Sequence, residues 1–321
     1  MSITIDQLVA SPDAYFHSFE GEEAVFVPMD RAAYARSIFL DRRIQPAAEG
    51  VWRVPLAALP GRVPAAQPIR WIFHVAQCGS TLLANALEAL SEDIVLREPF
   101  ALRQLGLAPD PAGLDIALSL LSRRYPGGGA TLIKANVPVN FILPVISAAQ
   151  ACAPAIFLYC ELEDYLLAIL RSANHRAWLR NATGLLAGHL GDLSALSDAE
   201  LGAALWLAMR RRYVAALAQM PQSRSLDAER FFGAPQQVLE AAAGLFGLAA
   251  DPDRIAAVVN GPLFATYSKN PAHAFDNAAR LARRDALAVE LQDDLAQARA
   301  WVSANGPDAM DIATRLEVAR L

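Results

Sequence analysis

Between Trp71 and Leu90 the chain reads WIFHVAQCGSTLLANALEAL, and its middle holds residues that could bind an anion. Cys78, Gly79, Ser80 and Thr81 make a small-residue turn after an apolar run (Trp71, Ile72, Phe73, Val75). A helix-period run follows at once (Leu82, Leu83, Ala86, Leu87, Leu90). The first N–H groups of a helix have no partner inside it, and its dipole favours negative charge there. A glycine lets the backbone approach an anion closely, and two hydroxyls add donors. The stretch therefore predicts a cradle for a phosphate-bearing ligand, with Gln77 at its lip. The same residues also suit an ordinary helix cap. A nucleoside-triphosphatase loop places a lysine after its second glycine. Here Ser80 follows Gly79 and no glycine opens the loop, so ATP or GTP hydrolysis fits poorly.

Other candidate groups stand at predicted strand ends, where ligands of open α/β sheets collect. Glu98 lies in Leu96-Arg97-Glu98-Pro99, and Lys134 and Asn136 lie in Ile133-Lys134-Ala135-Asn136. His74 falls inside the first strand, where a histidine is more often packed than reactive. Arg171 and Arg176 follow Glu163 and Asp164 on one helix, a spacing that suits surface pairing as well as a ligand. Lys269 sits in the polar segment Tyr267-Ser268-Lys269-Asn270. Arg210-Arg211-Arg212 reads as a solvated face. Cys78, Cys152 and Cys160 are too few and too irregular for a disulfide framework or a zinc site.

The elements that must position these groups alternate as in a parallel sheet. Strands are predicted at Ile69–Val75, Ile94–Leu96, Thr131–Lys134, Ala155–Tyr159 and Ser223–Leu226, separated by helix-period segments. Helices are expected from Ser80, near Pro111–Arg124, and from Glu163 to about His175. Ser197 and Glu200 form a capping-box pair at the head of a long helix to about Gln219. Pro235–Phe246, Asp251–Asn260 and one or two helices in Asp276–Asn305 complete a helix-rich second half. Residues 1–66 read as an extension packed on this core, with a strand at Ala24–Pro28, a helix at Arg31–Leu40 and a proline-rich linker at Pro55–Pro68.

The chain has 321 residues, of which 54% are apolar, and a net charge of −5. A sizeable core is available, and wholesale nucleic-acid binding is disfavoured. No long apolar window is free of charge and the N-terminus has no basic region, so neither a membrane span nor a secretory signal is expected. A reducing, cytoplasmic setting fits the three scattered cysteines.

Five segments resemble, in order, those of the P-loop sulfotransferases, enzymes that take a sulfuryl group from 3'-phosphoadenosine 5'-phosphosulfate (PAPS). Cys78-Gly79-Ser80-Thr81 is similar to the second half of their 5'-phosphosulfate loop, P-[KR]-[SC]-G-[ST]-[ST]. Glu98 stands where some members carry a catalytic carboxylate, and Lys134–Pro138 resembles K-[ST]-H-[LV]-P. Ile156–Leu170 looks like the segment V-R-[DN]-P-x-D-x-x-x-S that binds the 3'-phosphate, and Ser225–Leu248 resembles Y-E-D-L…P…F-L-G-L. The resemblance covers about residues 68 to 270.

The resemblance implies a P-loop NTPase-like α/β fold, a three-layer parallel sheet with helices on both faces, over residues 67–321. It implies PAPS as co-substrate, no metal, and a hydroxyl or amine acceptor on a small molecule or carbohydrate. Gln77, Cys78, Gly79, Ser80 and Thr81, with Arg171 and Lys269, would hold the donor. Lys134, Glu98 and Asn136 form the expected catalytic set. Asn136 replaces the family's histidine and cannot take a proton, so Glu98 is the expected base. Further departures are Gln77 for the loop's basic residue, Cys160 for the 3'-phosphate arginine and Ala168 for its serine. The C-terminal G-x-x-G-x-[WH]-K loop is absent. A kinase-like phosphotransferase and a non-catalytic anion- or partner-binding protein are the alternative expectations. No nucleic-acid or membrane partner is expected, and a homodimer is possible.

Overall fold

Short apolar runs between helix-period segments become strands buried on both faces. The computed structural model describes residues 3–268 and 270–321, so Lys269 lies outside the described residues. Among these, the strands are β1 (Ala14–Glu20), β2 (Glu23–Pro28), β3 (Trp52–Pro55), β4 (Arg70–His74), β5 (Val95–Arg97), β6 (Leu132–Lys134), β7 (Ala155–Tyr159), β8 (Ser223–Asp227), β9 (Thr266–Tyr267) and β10 (Asn270–Ala274). The central sheet is parallel, five-stranded and flanked by helices, in the order β5-β6-β4-β7-β8. This is the α/β class that the sequence predicts. Every residue of β4, β5, β6 and β7 is buried.

Aromatic side chains two residues apart share one face of a strand. Trp71 and Phe73 stack at 5.2 Å, Phe73 stacks on Phe157 of the next strand at 5.3 Å, and Phe157 meets Tyr213 at 5.1 Å. Tyr213 belongs to the long helix Asp198–Gln219, which lies against that face. Its capping box is present: Ser197 accepts from the Glu200 N–H while Glu200 accepts from the Ser197 N–H. The predicted single helix from Glu163 is two, Leu162–Leu170 and Ala173–Leu185. Ser172 takes an extended backbone and caps the second through the His175 N–H, which ends the first helix at Arg171.

The order of strands decides where a site can form. The chain leaves β4 toward β5 on one side, and leaves β7 toward β8 on the other. Connections that part in opposite directions open a crevice at the carboxyl ends of the two strands between them. Here that crevice lies between β4 and β7, directly above the Gln77–Thr81 turn.

The N-terminal extension forms an antiparallel sheet, β1-β2-β3, and shares its hydrophobic core with the rest of the chain. Pro55, expected to start a linker, instead ends β3 opposite Glu23, an edge-strand position that needs no donor from proline. Two buried guanidiniums clip the extension down. Arg123 donates to the Leu8, Ser11 and Ala14 carbonyls at 2.7, 2.6 and 2.7 Å. Arg97 donates to the carbonyls of Ser37 and Ala35, both at 3.1 Å, and to Glu88 at 2.7 Å. Burial pushes the Arg123 pKa down to about 10, so these carbonyl contacts hold a strongly desolvated cation.

Candidate functional site

The turn after β4 is built from unusual backbone. Ala76, Gln77 and Glu98 have φ of +76°, +52° and +58°, and no other described non-glycine residue has positive φ. Such conformations persist only where surrounding structure enforces them, and they gather at functional sites. Gly79, at φ +81° and ψ +7°, is the N-cap of helix Ser80–Ala89. It makes no side-chain cap, so the first helical N–H groups are not taken by a neighbouring side chain. Thr81 Oγ1 and, beyond β6, Asn136 Oδ1 are buried atoms with no hydrogen-bond partner among the described residues. An anionic ligand able to accept and donate would use such groups.

This turn forms one wall of a cavity of about 820 Å³. Gln77, Cys78, Gly79, Ser80 and Thr81 all line it, as the sequence reading requires of a cradle. Cys160, Asp164, Ala168 and Arg171 come from the β7 end and the helix after it. The third wall is the helix Asn277–Glu290, through Arg280, Arg283 and Arg284. Tyr267 and Phe275 of the β9–β10 region complete it, with Phe232 close to the turn. The residue motifs did not single out this arginine-bearing helix. Its arginines gain meaning only because the helix returns from far along the chain. A sequence signal existed in the pair Arg283-Arg284 with Arg280 one turn earlier, on a helix already expected.

The cations are not equivalent. Arg280 makes a bidentate pair with Glu229 at 2.6 and 2.7 Å. Arg284 lies 3.5 Å from Asp164 and 3.8 Å from Glu229. Arg171 instead bonds His175 Nε2 at 3.1 Å through Nε. Neither Arg171 nor Arg283 has a carboxylate partner among the described residues. Partial burial lowers the Arg171 pKa, and the like charge of Arg283 lowers it further. Two guanidiniums lining one cavity, neither with a carboxylate partner among the described residues, favour an anion there. Burial raises the Asp164 pKa from its ordinary value, and Glu229 adds to the shift.

A second cluster sits at the β4–β5–β6 ends and does not line the cavity. Lys134 Nζ donates to Glu98 Oε1, with Lys134 1% and Glu98 18% exposed in their side chains. The Glu98 N–H donates to the Lys134 carbonyl at 2.8 Å, so backbone and side chain both tie β5 to β6. His74 Nε2 lies 3.8 Å from Glu98 Oε1, and His74 Nδ1 accepts from the Ala76 N–H at 3.0 Å. In neutral His74 that leaves the ring proton on Nε2, the edge facing Glu98. Asn140 donates to the His74 carbonyl at 3.1 Å and steadies the strand end. Asn136 is buried beside this group. Thus the structure brings Glu98, Lys134 and His74 together on one side of the turn. It places Arg171 on the other side, where it lines the cavity together with Arg283 of the Asn277–Glu290 helix.

Sheet and turn define the class: a parallel α/β protein with a glycine-capped helix N-terminus at the switch point, opening on a cation-lined cavity. Solved structures similar to this chain include the sulfotransferase domain from the curacin biosynthetic pathway, at 14% identity and a TM-score of 0.43, covering 71% of this chain and 99% of that one. Another is the sulfotransferase from Alicyclobacillus acidocaldarius, at 15% identity and a TM-score of 0.41, covering 75% and 96%. No family model matches the chain, and no curated protein matches it. Identity this low leaves the chemistry of the site to this chain's own residues. Among the described residues, no helix is long and apolar enough to cross a membrane.

Proposed function

We propose that the protein is a sulfotransferase-like enzyme that moves a sulfuryl group from PAPS to a hydroxyl or amine of a small-molecule or carbohydrate acceptor. One observation supports this reading: the Gly79-capped helix N-terminus and the guanidiniums of Arg171 and Arg283 line a single cavity. We read the first as the seat of one anionic group and the second as the seat of another. A nucleotide with an anionic group at both its 5' and 3' positions matches that layout. Phe275 lies 5.4 Å from Tyr267 and 5.9 Å from Phe232 between ring centroids, which gives a flat base apolar faces to pack on.

Held there, the donor supplies the activated sulfuryl group. The chain's own part is positioning and charge stabilisation, which dominate transfers of this type. The turn's N–H groups and the Ser80 and Thr81 hydroxyls orient the 5' end. Lys134 sets the charge and direction of Glu98, and Glu98, the partly exposed member of the pair, takes the acceptor's proton. His74, held by the Ala76 N–H, keeps its Nε2 edge 3.8 Å from Glu98, close enough to approach the carboxylate once an acceptor is bound. The absent loop lysine speaks against a magnesium-triphosphate donor.

Ligand-dependent melting separates the readings, because a ligand of the native state raises the melting temperature by mass action. Adenosine 3',5'-bisphosphate is expected to raise it, and ATP with magnesium is not. A shift with ATP–magnesium alone would favour the kinase-like alternative. No shift with either would leave a non-catalytic protein that binds another anion or a partner.

A further inference from the structure

The turn carries a thiol that sulfuryl transfer does not use. In the parallel pairing of β4 with β7, His74 stands opposite Leu158. From there the chain runs four residues to Cys78 and two to Cys160. Both cysteines therefore reach the same carboxyl edge, from strands that lie about 4.8 Å apart in any sheet. A disulfide asks for Cα atoms about 4.4–6.8 Å apart, a range that residues on neighbouring strands can meet. Each thiol perturbs the ionisation of the other, as close neighbours do. Each residue is buried, at 1% and 5% exposure, yet both line the cavity, while Cys152 is exposed and elsewhere.

We propose that Cys78 and Cys160 are a reversible oxidation site, forming an intramolecular disulfide with a hydroperoxide that enters the cavity. Cys78 is the attacking sulfur. Burial opposes its ionisation, but contacts with the Cys160 thiol and the His74 imidazole carry its pKa well below the ordinary thiol range. Cys160, as donor in that contact and buried, is held well above it, and so keeps its proton until the second step.

The Cys78 thiolate attacks one peroxide oxygen. The O–O bond breaks, an alcohol or water leaves with a proton, and Cys78 becomes a sulfenic acid. The Cys160 sulfur then attacks the Cys78 sulfur. The S–S bond forms, the S–O bond breaks, and water leaves with the Cys160 proton. The two thiols lose two electrons and two protons, and the peroxide gains them. A dithiol reverses the reaction by exchange. The link joins the anion turn to the end of β7, across the floor of the cavity. This proposal stands apart from the transferase reading and does not need it.

The test uses the full chain carrying Cys152→Ser, which removes the exposed thiol. The reduced protein is titrated with hydrogen peroxide, alkylated under denaturing conditions, and digested without reductant for mass spectrometry. The expected product is a monomer lighter by two hydrogens, with the Cys78 and Cys160 peptides joined and both released by dithiothreitol. A second protein, also carrying Cys160→Ser, is expected to stop at the sulfenic acid, captured by dimedone at Cys78. Two free alkylated thiols after excess peroxide would overturn the proposal. So would a link found only between molecules. The first protein retains both buried cysteines, so the test does not depend on the second one folding.

Discussion

The ring of Phe232 closes over Gly79: a Cβ built on Gly79 would lie 2.7 Å from Phe232 Cζ. Gly79 also sits at φ +81°, where a side chain is strained whatever the space. The turn thus requires glycine twice, once for its backbone and once for the ring above it. Gly79→Ala is expected to lose about 1–2 kcal/mol from the left-handed backbone alone. The clash with Phe232 adds to that loss. Chemical denaturation checks the stability, and titration with adenosine 3',5'-bisphosphate checks the cradle. Anion affinity unchanged in a folded Gly79→Ala protein would show that the turn is only a helix cap. Adding Phe232→Ala should return part of the lost stability, because it removes the clash and leaves the backbone strain.

Glu98 and Lys134 are predicted to separate binding from turnover. Neither lines the cavity, so Glu98→Gln should keep donor affinity within a few-fold while abolishing sulfuryl transfer. Lys134→Ala takes from Glu98 the buried ammonium that donates to it, leaving the charge of Arg43 and its other contacts. Breaking a buried pair from one side costs about 3–5 kcal/mol, and the 18% exposure of Glu98 puts this case below that range. A lower melting temperature together with lost turnover is therefore expected for Lys134→Ala. Full turnover in Glu98→Gln would remove that residue from the mechanism.

Arg171 and Arg283 should act as one seat. A charge-assisted hydrogen bond contributes about 1.5–3 kcal/mol, so losing either guanidinium should weaken the bisphosphate by roughly tenfold to a hundredfold. Arg280→Ala should behave differently, because it also removes the bidentate partner of Glu229 and leaves that carboxylate to Arg284, 3.8 Å away. Calorimetric titration of Arg171→Ala, Arg283→Ala and the double variant measures the coupling. If the seat is shared, the bisphosphate should suffer far more than adenosine 5'-phosphate, which lacks the second anion. Equal losses for both ligands would place the pair outside the 3' seat.

Asp164 gives the cavity a dependence on pH. Burial, and then Glu229, raise its pKa, so it takes up a proton before an ordinary aspartate does as the solution becomes acidic. Protonation removes a negative charge from the cavity and leaves Arg284, now 3.5 Å away, with fewer acids to neutralise it. Anion affinity should therefore rise as pH falls from neutrality toward the ordinary aspartate range. Sulfate is the suitable probe, because it keeps its charge throughout that interval. Asp164→Asn should bind sulfate more tightly at neutral pH, with a flatter profile. Asp227, whose pKa burial also raises, is retained in that variant. An unchanged profile would take the effect away from Asp164.

Much of this architecture was legible in local pattern. Ala155–Tyr159 and Pro235–Phe246 are found with the bounds that apolar runs and punctuation predict. Ser197 and Glu200 announce their helix through chemistry confined to four residues. The break at Ser172 was harder to see, since the apolar period runs on past it and only a side-chain cap divides the two helices. The strands β1 and β3 were missed because their partner strand, not their own composition, makes them strands.

By itself the sequence determined that a parallel α/β sheet forms and that a small-residue turn at Gly79 caps a helix. Period and cap are local properties, set by neighbours a few residues apart. Only the tertiary structure decided what faces that turn. The strand order opens the crevice between β4 and β7 and carries Asn277–Glu290 back to it from about 200 residues away. It also sends Glu98 and Lys134 to the other side, where each neutralises the other. A charge on a linear chain has no address until packing supplies its partners. For that reason Gln77, neutral at the lip of the turn, stands beside a cavity whose cations come from Arg171 and Arg283.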